Sequence, residues 1–145
     1  KLSELKPTTP GLPEAPSTTI ILQIDNSKMY VNGVEKDIDP GYGTKPIILN
    51  GRTILPIRAI IESLGGTVGW EQADQRVTLD VNNTNIIMWI GRQDYLVNGV
   101  PQTLEVAPVL IKSRSLLPLR ALLENIGYVV EWNNENKAVI IVSKN

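Results

Sequence analysis

Apolar and polar residues alternate through most of the chain, and the alternation gives way twice to a helical stripe. Ile20, Leu22 and Ile24 share one parity, and after a turn at Asp25-Asn26-Ser27 the inward set resumes at Met29 and Val31. Asn32-Gly33 predicts a two-residue hairpin turn into Val34 to Ile38, because both residues tolerate positive φ. A loop over Asp39 to Thr44 and a short strand over Ile47 to Leu49 follow, closed by a second turn at Asn50-Gly51. Here the period changes. Ile57, Ile60, Ile61 and Leu64 fall on one stripe of a helix of roughly nine residues, with Pro56 in its first turn and Gly65-Gly66 at its end. A helix this short does not persist alone, so a sheet must hold it. Alternation returns with Val68 and Trp70, then with Val77, Leu79 and Val81.

The whole pattern occurs twice. Arg52-Thr53-Ile54-Leu55-Pro56-Ile57-Arg58-Ala59 returns 62 residues later as Arg114-Ser115-Leu116-Leu117-Pro118-Leu119-Arg120-Ala121. Ile86, Met88 and Ile90 match Ile20, Leu22 and Ile24 at an offset of 66, as Val97-Asn98-Gly99-Val100 matches Val31-Asn32-Gly33-Val34. The offset is 62 again by Pro108, the partner of Pro46, which places a four-residue insertion in copy one around Pro40 to Thr44. Copy two is expected to carry a helix over Pro118 to Ile126, inward Val130 and Trp132, and a final strand from Ala138 to Val142. The fold class predicted is α+β: two pseudo-repeated units of short antiparallel strands curled around one short helix each, packed together. The units run over 20–81 and 86–143, joined by a turn at Asn82 to Asn85. Units near 60 residues bury little surface alone, so one compact module is expected. Residues 1–19, rich in Pro and Thr, read as a linker.

Composition removes chemistry rather than adding it. With 14 basic and 15 acidic residues, a net charge of −1 and no local basic run, nothing points to nucleic acid. The chain has no histidine and no cysteine, which excludes Cys/His zinc sites, Ser-His and Cys-His relays and disulfides. No run of 18 apolar residues is present, so no membrane insertion is expected. A start at Lys1 without methionine suits a processed chain or an excised fragment. Asp37, Asp39, Asp74, Asp80, Asp94 and Glu105 are available carboxylates, but no spacing marks the close pair that glycoside hydrolysis needs.

Comparing the copies separates scaffold from candidate site. Arg58 with Glu62, and Arg120 with Glu124, sit at i,i+4 and allow one ion pair per helix. Arg52 and Arg114 precede the helices, where they are placed to bond strand or loop carbonyls. All four arginines occur in both copies, so they read as structural; an anion site at a helix start is the alternative. Trp70 and Trp132 are equivalent and are expected to be buried against the helices. Trp89 points outward where copy one has Gln23. It is the foremost candidate for a platform under a sugar ring or for a protein contact, with packing against the other lobe or the linker as the alternative. Tyr42, in the inserted loop, and Tyr30, on the outward parity, join it as tentative ligand-binding residues.

The recurring Val-Asn-Gly, followed by NGRTILPIRAIIESLGGTVGW and again by SRSLLPLRALLENIGYVVEW, closely resembles the copper amine oxidase N-terminal domain-like family, often called a stalk domain. The resemblance covers about residues 20 to 143. It implies an α+β module of antiparallel sheet around helices, found in exported or cell-surface proteins of Gram-positive bacteria beside catalytic, wall-anchoring or adhesive modules. The motif positions that carry over are scaffold positions: Gly33, Gly51, Arg52, Pro56, Arg58, Glu62, Gly65 and Trp70, with Gly99, Arg114, Pro118, Arg120, Glu124, Gly127 and Trp132. Copy two departs from the pattern at Lys112-Ser113, which stand where copy one has Asn50-Gly51. Copper and the quinone belong to the separate catalytic domain of the full oxidase, whose metal needs histidines that this chain lacks. No cofactor and no enzymatic activity are therefore expected. The expected function is a non-catalytic extracellular or cell-surface accessory module that provides spacing or protein interaction. The alternative is a carbohydrate-binding module for cell-wall or plant polysaccharide using exposed aromatics. The partners expected are neighbouring modules of a larger secreted protein, another surface protein or a polysaccharide.

Overall fold

The computed structural model describes residues 2–6, 18–49, 51–111, 114–117, 123–124 and 127–143. A short 3-10 turn, Leu2–Glu4, comes first. Copy one then runs through β1 (Thr19–Gln23), β2 (Lys28–Val31), β3 (Val34–Asp37), β4 (Ile47–Leu49), β5 (Arg52–Pro56), α1 (Ile57–Ser63), β6 (Thr67–Glu71) and β7 (Arg76–Val81). Copy two follows as β8 (Thr84–Trp89), β9 (Asp94–Val97), β10 (Val100–Thr103), β11 (Val109–Ile111), β12 (Arg114–Leu117), β13 (Val129–Asn133) and β14 (Ala138–Val142). The result is an α+β fold of antiparallel sheets in which α1 is the one α-helix among the described residues. The helix expected over Pro118 to Ile126 lies outside the described residues except for Leu123 and Glu124, which are helical.

The local chemistry explains most boundaries. Asn32-Gly33 and Asn98-Gly99 have φ of 51° and 83°, and 49° and 80°, which is the geometry a two-residue hairpin demands. Around the first helix the expectation needs correction. Pro56 is the N-cap, extended at φ −65° and ψ 126°, and the helix spans seven residues rather than nine. The five residues before it form β5, a strand not anticipated, which pairs with β4 on one side and with β12 of the other copy on the other. At the far end Gly65, at φ 85°, lets its N–H reach the Glu62 carbonyl at 3.0 Å while the Gly66 N–H reaches Ile61 at 2.9 Å. Gly127 and Tyr128 make the equivalent bonds to Glu124 and Leu123 at 3.1 and 2.9 Å.

The sheets interleave the two copies. One five-stranded sheet has the order β13-β14-β1-β2-β3, and the other β10-β9-β8-β7-β6. Each therefore takes three strands from the start of one copy and the closing hairpin of the other. The four-stranded sheet, β11-β12-β5-β4, joins the copies at Leu55↔Leu117, where a residue pairs with its own repeat equivalent. That pair marks a local two-fold relation. Around it the Ile20↔Ile141 and Leu22↔Val139 pairs correspond to Ile86↔Leu79 and Met88↔Val77. The connection between copies is tighter than the expected Asn82 to Asn85 turn: Asn82 and Asn83 alone, at φ 54° and 61°, close a β7-β8 hairpin. At the corresponding place in the first sheet no turn joins β14 to β1. Thr18 N donates to Ser143 Oγ at 2.8 Å, and Ser143 N to the Thr18 carbonyl at 2.9 Å.

The main core collects the inward parity of both sheets, including Ile20, Leu22, Met29, Val77, Leu79, Ile86 and Met88, with Ile57, Ile60 and Ile61 of α1. A second cluster lies on the outer face of the first sheet, where Ile21, Ala138, Ile140 and Val142 are buried, with Leu2, Leu5 and the cross-strand neighbours Tyr30 and Val129 packed against them. The leucines of the amino-terminal segment thus cover a patch whose counterparts in the second sheet, Ile87, Arg76, Thr78 and Asp80, are mostly polar. Residues 7–17 of the predicted linker lie outside the described residues.

Candidate functional site

Trp89 ends β8 on the outer face of the second five-stranded sheet, half-buried. Its Nε1 donates to Asp74 Oδ2 at 3.3 Å, and the Arg92 guanidinium lies 4.5 Å from the ring centroid. Asp74 also takes Arg76 Nη1 at 3.3 Å. Arg92 is held in turn by Asp94 through both carboxylate oxygens, with Nε at 3.0 Å. Hydrogen bonding from Arg92 keeps the Asp94 carboxyl below its ordinary value, and the same bond raises Arg92. The copies also use this position alike. Gln23, the counterpart of Trp89, donates Nε2 at 2.8 Å to the carbonyl of Asn136, the counterpart of Asp74. Each side chain ties its strand to the turn of the neighbouring hairpin, so Trp89 has a structural task despite its outward parity.

The other two aromatic candidates sit elsewhere. Tyr30 stands on the outer face of the first sheet, where its hydroxyl donates to Glu35 Oε2 at 3.0 Å; that bond raises the phenol above its ordinary value. Tyr42 is 60% exposed in the β3-β4 loop. Trp89 and Tyr30 therefore belong to different sheets and do not share a face.

Arg58 reaches Glu62 Oε2 at 3.7 Å and the Val68 carbonyl at 3.5 Å, from an exposed position on α1. The backbones of Arg52 and Arg114 lie in β5 and β12, while their side chains and all of Arg120 are outside the described residues. Glu124 is exposed at the helical turn that precedes Gly127.

Trp70 departs from expectation. It is 39% exposed rather than buried, and Trp132 is half-buried. Their parity is inward, as predicted, but β6 and β13 are the edge strands of their sheets, so the inward face there opens onto a cleft. One cleft of about 630 Å³ is lined by Asp39, Glu62, Val68, Trp70, Val77 and Leu110. The other, of about 860 Å³, is lined by the repeat equivalents Glu105, Glu124, Val130, Trp132, Val139 and Ile48. Each indole N–H is bonded two residues along, Trp70 to Gln72 Oε1 at 3.0 Å and Trp132 to Asn134 Oδ1 at 3.4 Å. An amide side chain at the same offset in both copies was the available clue, and only its meaning depended on knowing the sheet edge.

Among the described residues no group of three or more His, Cys, Asp or Glu is placed to hold a metal ion, and no helix is long and apolar enough to cross a membrane. The described residues form a β-rich α+β module in which two copies of one pattern interleave. The chain belongs to the copper amine oxidase N-terminal domain family, whose profile matches residues 41–141. It corresponds to the non-catalytic amino-terminal module of that family. No curated protein and no solved structure matches it.

Proposed function

We propose that this domain is a non-catalytic accessory module of an exported, cell-surface protein, and that it presents a contact surface rather than setting a length. The observation that carries this reading is the pairing of Thr18 with Ser143, because it sets the start of the first strand beside the end of the last, and Leu2 and Leu5 pack on that same sheet. A spacer passes the chain in at one end and out at the other; a module with adjoining ends hangs beside the tether. The extracellular setting is supported by the family resemblance. Partners on this reading are the neighbouring modules and the surface they meet.

Energy transfer between donor and acceptor proteins fused to the two ends tests the arrangement. Transfer near the limit set by the fused proteins themselves is expected. Efficiency corresponding to a further separation of roughly 40 Å, the diameter of a compact chain of this size, would restore the spacer. The location is tested by fractionating cells that express the natural full-length protein: recovery in the wall or medium is expected, and recovery inside the cell rejects it.

The repeat extends to the helix on this reading. Copy two carries its own helix over Pro118 to Ile126, supported by the matching terminal bonds at Gly127 and Tyr128. Helical backbone chemical shifts over those residues are the check, and extended values there would remove the second helix.

A further inference from the structure

The two clefts are related by the same two-fold relation as the copies, and their shared features suit one ligand chemistry. Each has an aliphatic base, Val77 or Val139, and a tryptophan at its side. The indole N–H of each is already bonded to an amide of its own chain, which fixes the ring at the cleft, with Trp70 39% exposed and Trp132 half-buried against the core. The polar groups around the first ring are also engaged: Glu62 with Arg58 at 3.7 Å, and Asp39 with the Thr44 hydroxyl at 2.6 Å.

This combination discriminates among ligand classes. A wholly apolar ligand would strip water from the carboxylates without replacing their hydrogen bonds. An anion would meet more carboxylates than cations in each cleft: Asp37, Asp39 and Glu62 against Lys36 and Arg58 in one, and Glu105, Glu124 and Glu131 against Lys137 in the other. A cation would compete with Arg58 for Glu62. A neutral ring with one face of C–H groups and a rim of hydroxyls satisfies every part, since hydroxyls donate to a carboxylate and accept from a guanidinium. Two equivalent clefts on one chain further suit a ligand that repeats, because the second contact is made at high effective concentration.

We propose that the Trp70 and Trp132 clefts are twin subsites for a neutral polysaccharide, each stacking one pyranose ring on its indole. This site differs from the Trp89 platform read from parity alone, and it stands independently of whether the module hangs or spaces.

The test is affinity electrophoresis of the whole chain in gels containing soluble β-glucan, xylan or mannan. Retardation by at least one glycan is expected, falling roughly 10- to 100-fold in effective affinity for either Trp70→Ala or Trp132→Ala as bivalent contact is lost. The double variant should run unretarded, and Trp89→Ala should run as wild type. Trp70→Tyr and Trp132→Tyr, which keep an aromatic face, should recover part of the retardation; thermal melts confirm which variants are folded. Absence of retardation by all three glycans, retention in a folded double variant, or preference for a cationic oligomer overturns the proposal.

Discussion

Gly66 shows how narrowly a single position is determined. A Cβ there would stand 2.5 Å from the Asp80 carbonyl oxygen and 2.8 Å from Ile61 Cγ2 and Val81 Cβ. Two of those contacts are backbone or close to it and have little room to yield, so Gly66→Ala should cost about 1–3 kcal/mol, read as a lower urea midpoint. Copy two has buried Tyr128 at the equivalent position, where burial raises the phenol above its ordinary value. The folded state then holds the proton more tightly than the unfolded chain. Stability from this group is intact below about pH 10 and is lost as pH rises through the folded value. Tyr128→Phe should therefore lose less stability than wild type between pH 8 and about pH 11, compared by urea midpoints at each pH. Residue-scale sequence reading was accurate about parity and less so about depth. Ile20, Leu22, Met29, Leu79 and Met88 are all buried as their alternation requires. Trp70 shares that inward parity yet remains 39% exposed, because parity specifies a face and says nothing of how close a strand lies to the sheet edge.

Elements were legible where the chain carries its own chemical punctuation. Asn-Gly at 32–33 and 98–99 marks two hairpins, and Gly65 closes α1, because positive φ is written into those residues. Strands β5 and β12 were missed although each has a local partner, β4 or β11: the pairing that joins them to each other spans about 60 residues, and Arg52–Pro56 passes into the helix without a break. The helix itself depends on the sheets for its stability. Ile57, Ile60 and Ile61 are at most 3% exposed, whereas Arg58 and Glu62 face solvent. Ile60→Ala should destabilise the domain by about 2–4 kcal/mol, while Arg58→Ala should change it by less than about 1 kcal/mol. Thermal or urea unfolding of the two variants checks the contrast. An equal effect would mean that the helix is held by its charged face.

At the scale of the whole molecule, alternation predicts an inner face but not the strand beside it. The repeat predicts two units packed into one module, and what it does not reveal is the exchange by which each five-stranded sheet draws its closing hairpin from the other copy. The first copy alone, residues 20–81, would lack β8, β9 and β10 beside β7 and β14 beside β1, and its isolated chain should show no cooperative unfolding. The symmetry also predicts a tolerated rearrangement. Joining Ser143 to Thr18 through an Asn-Asn turn, and opening the chain between Asn82 and Asn83, exchanges the turn and the gap of the two sheets. Such a permutant, which also drops Leu2 and Leu5 from the sheet face, should keep the native circular dichroism and a cooperative transition; a molten chain, where deletion of residues 1–17 alone leaves a folded one, would show that the β7-β8 hairpin must be continuous. The adjoining ends have a mechanical consequence as well. Tension would first lift Leu2 and Leu5 from the sheet; because Thr19 pairs with Val142, it would then open β1 from β14 one hydrogen bond at a time, as a zipper opens. A fold loaded in this way yields at low force and then releases chain of roughly 3.3–3.6 Å per residue, making the domain a reserve of slack in any tether that carries load.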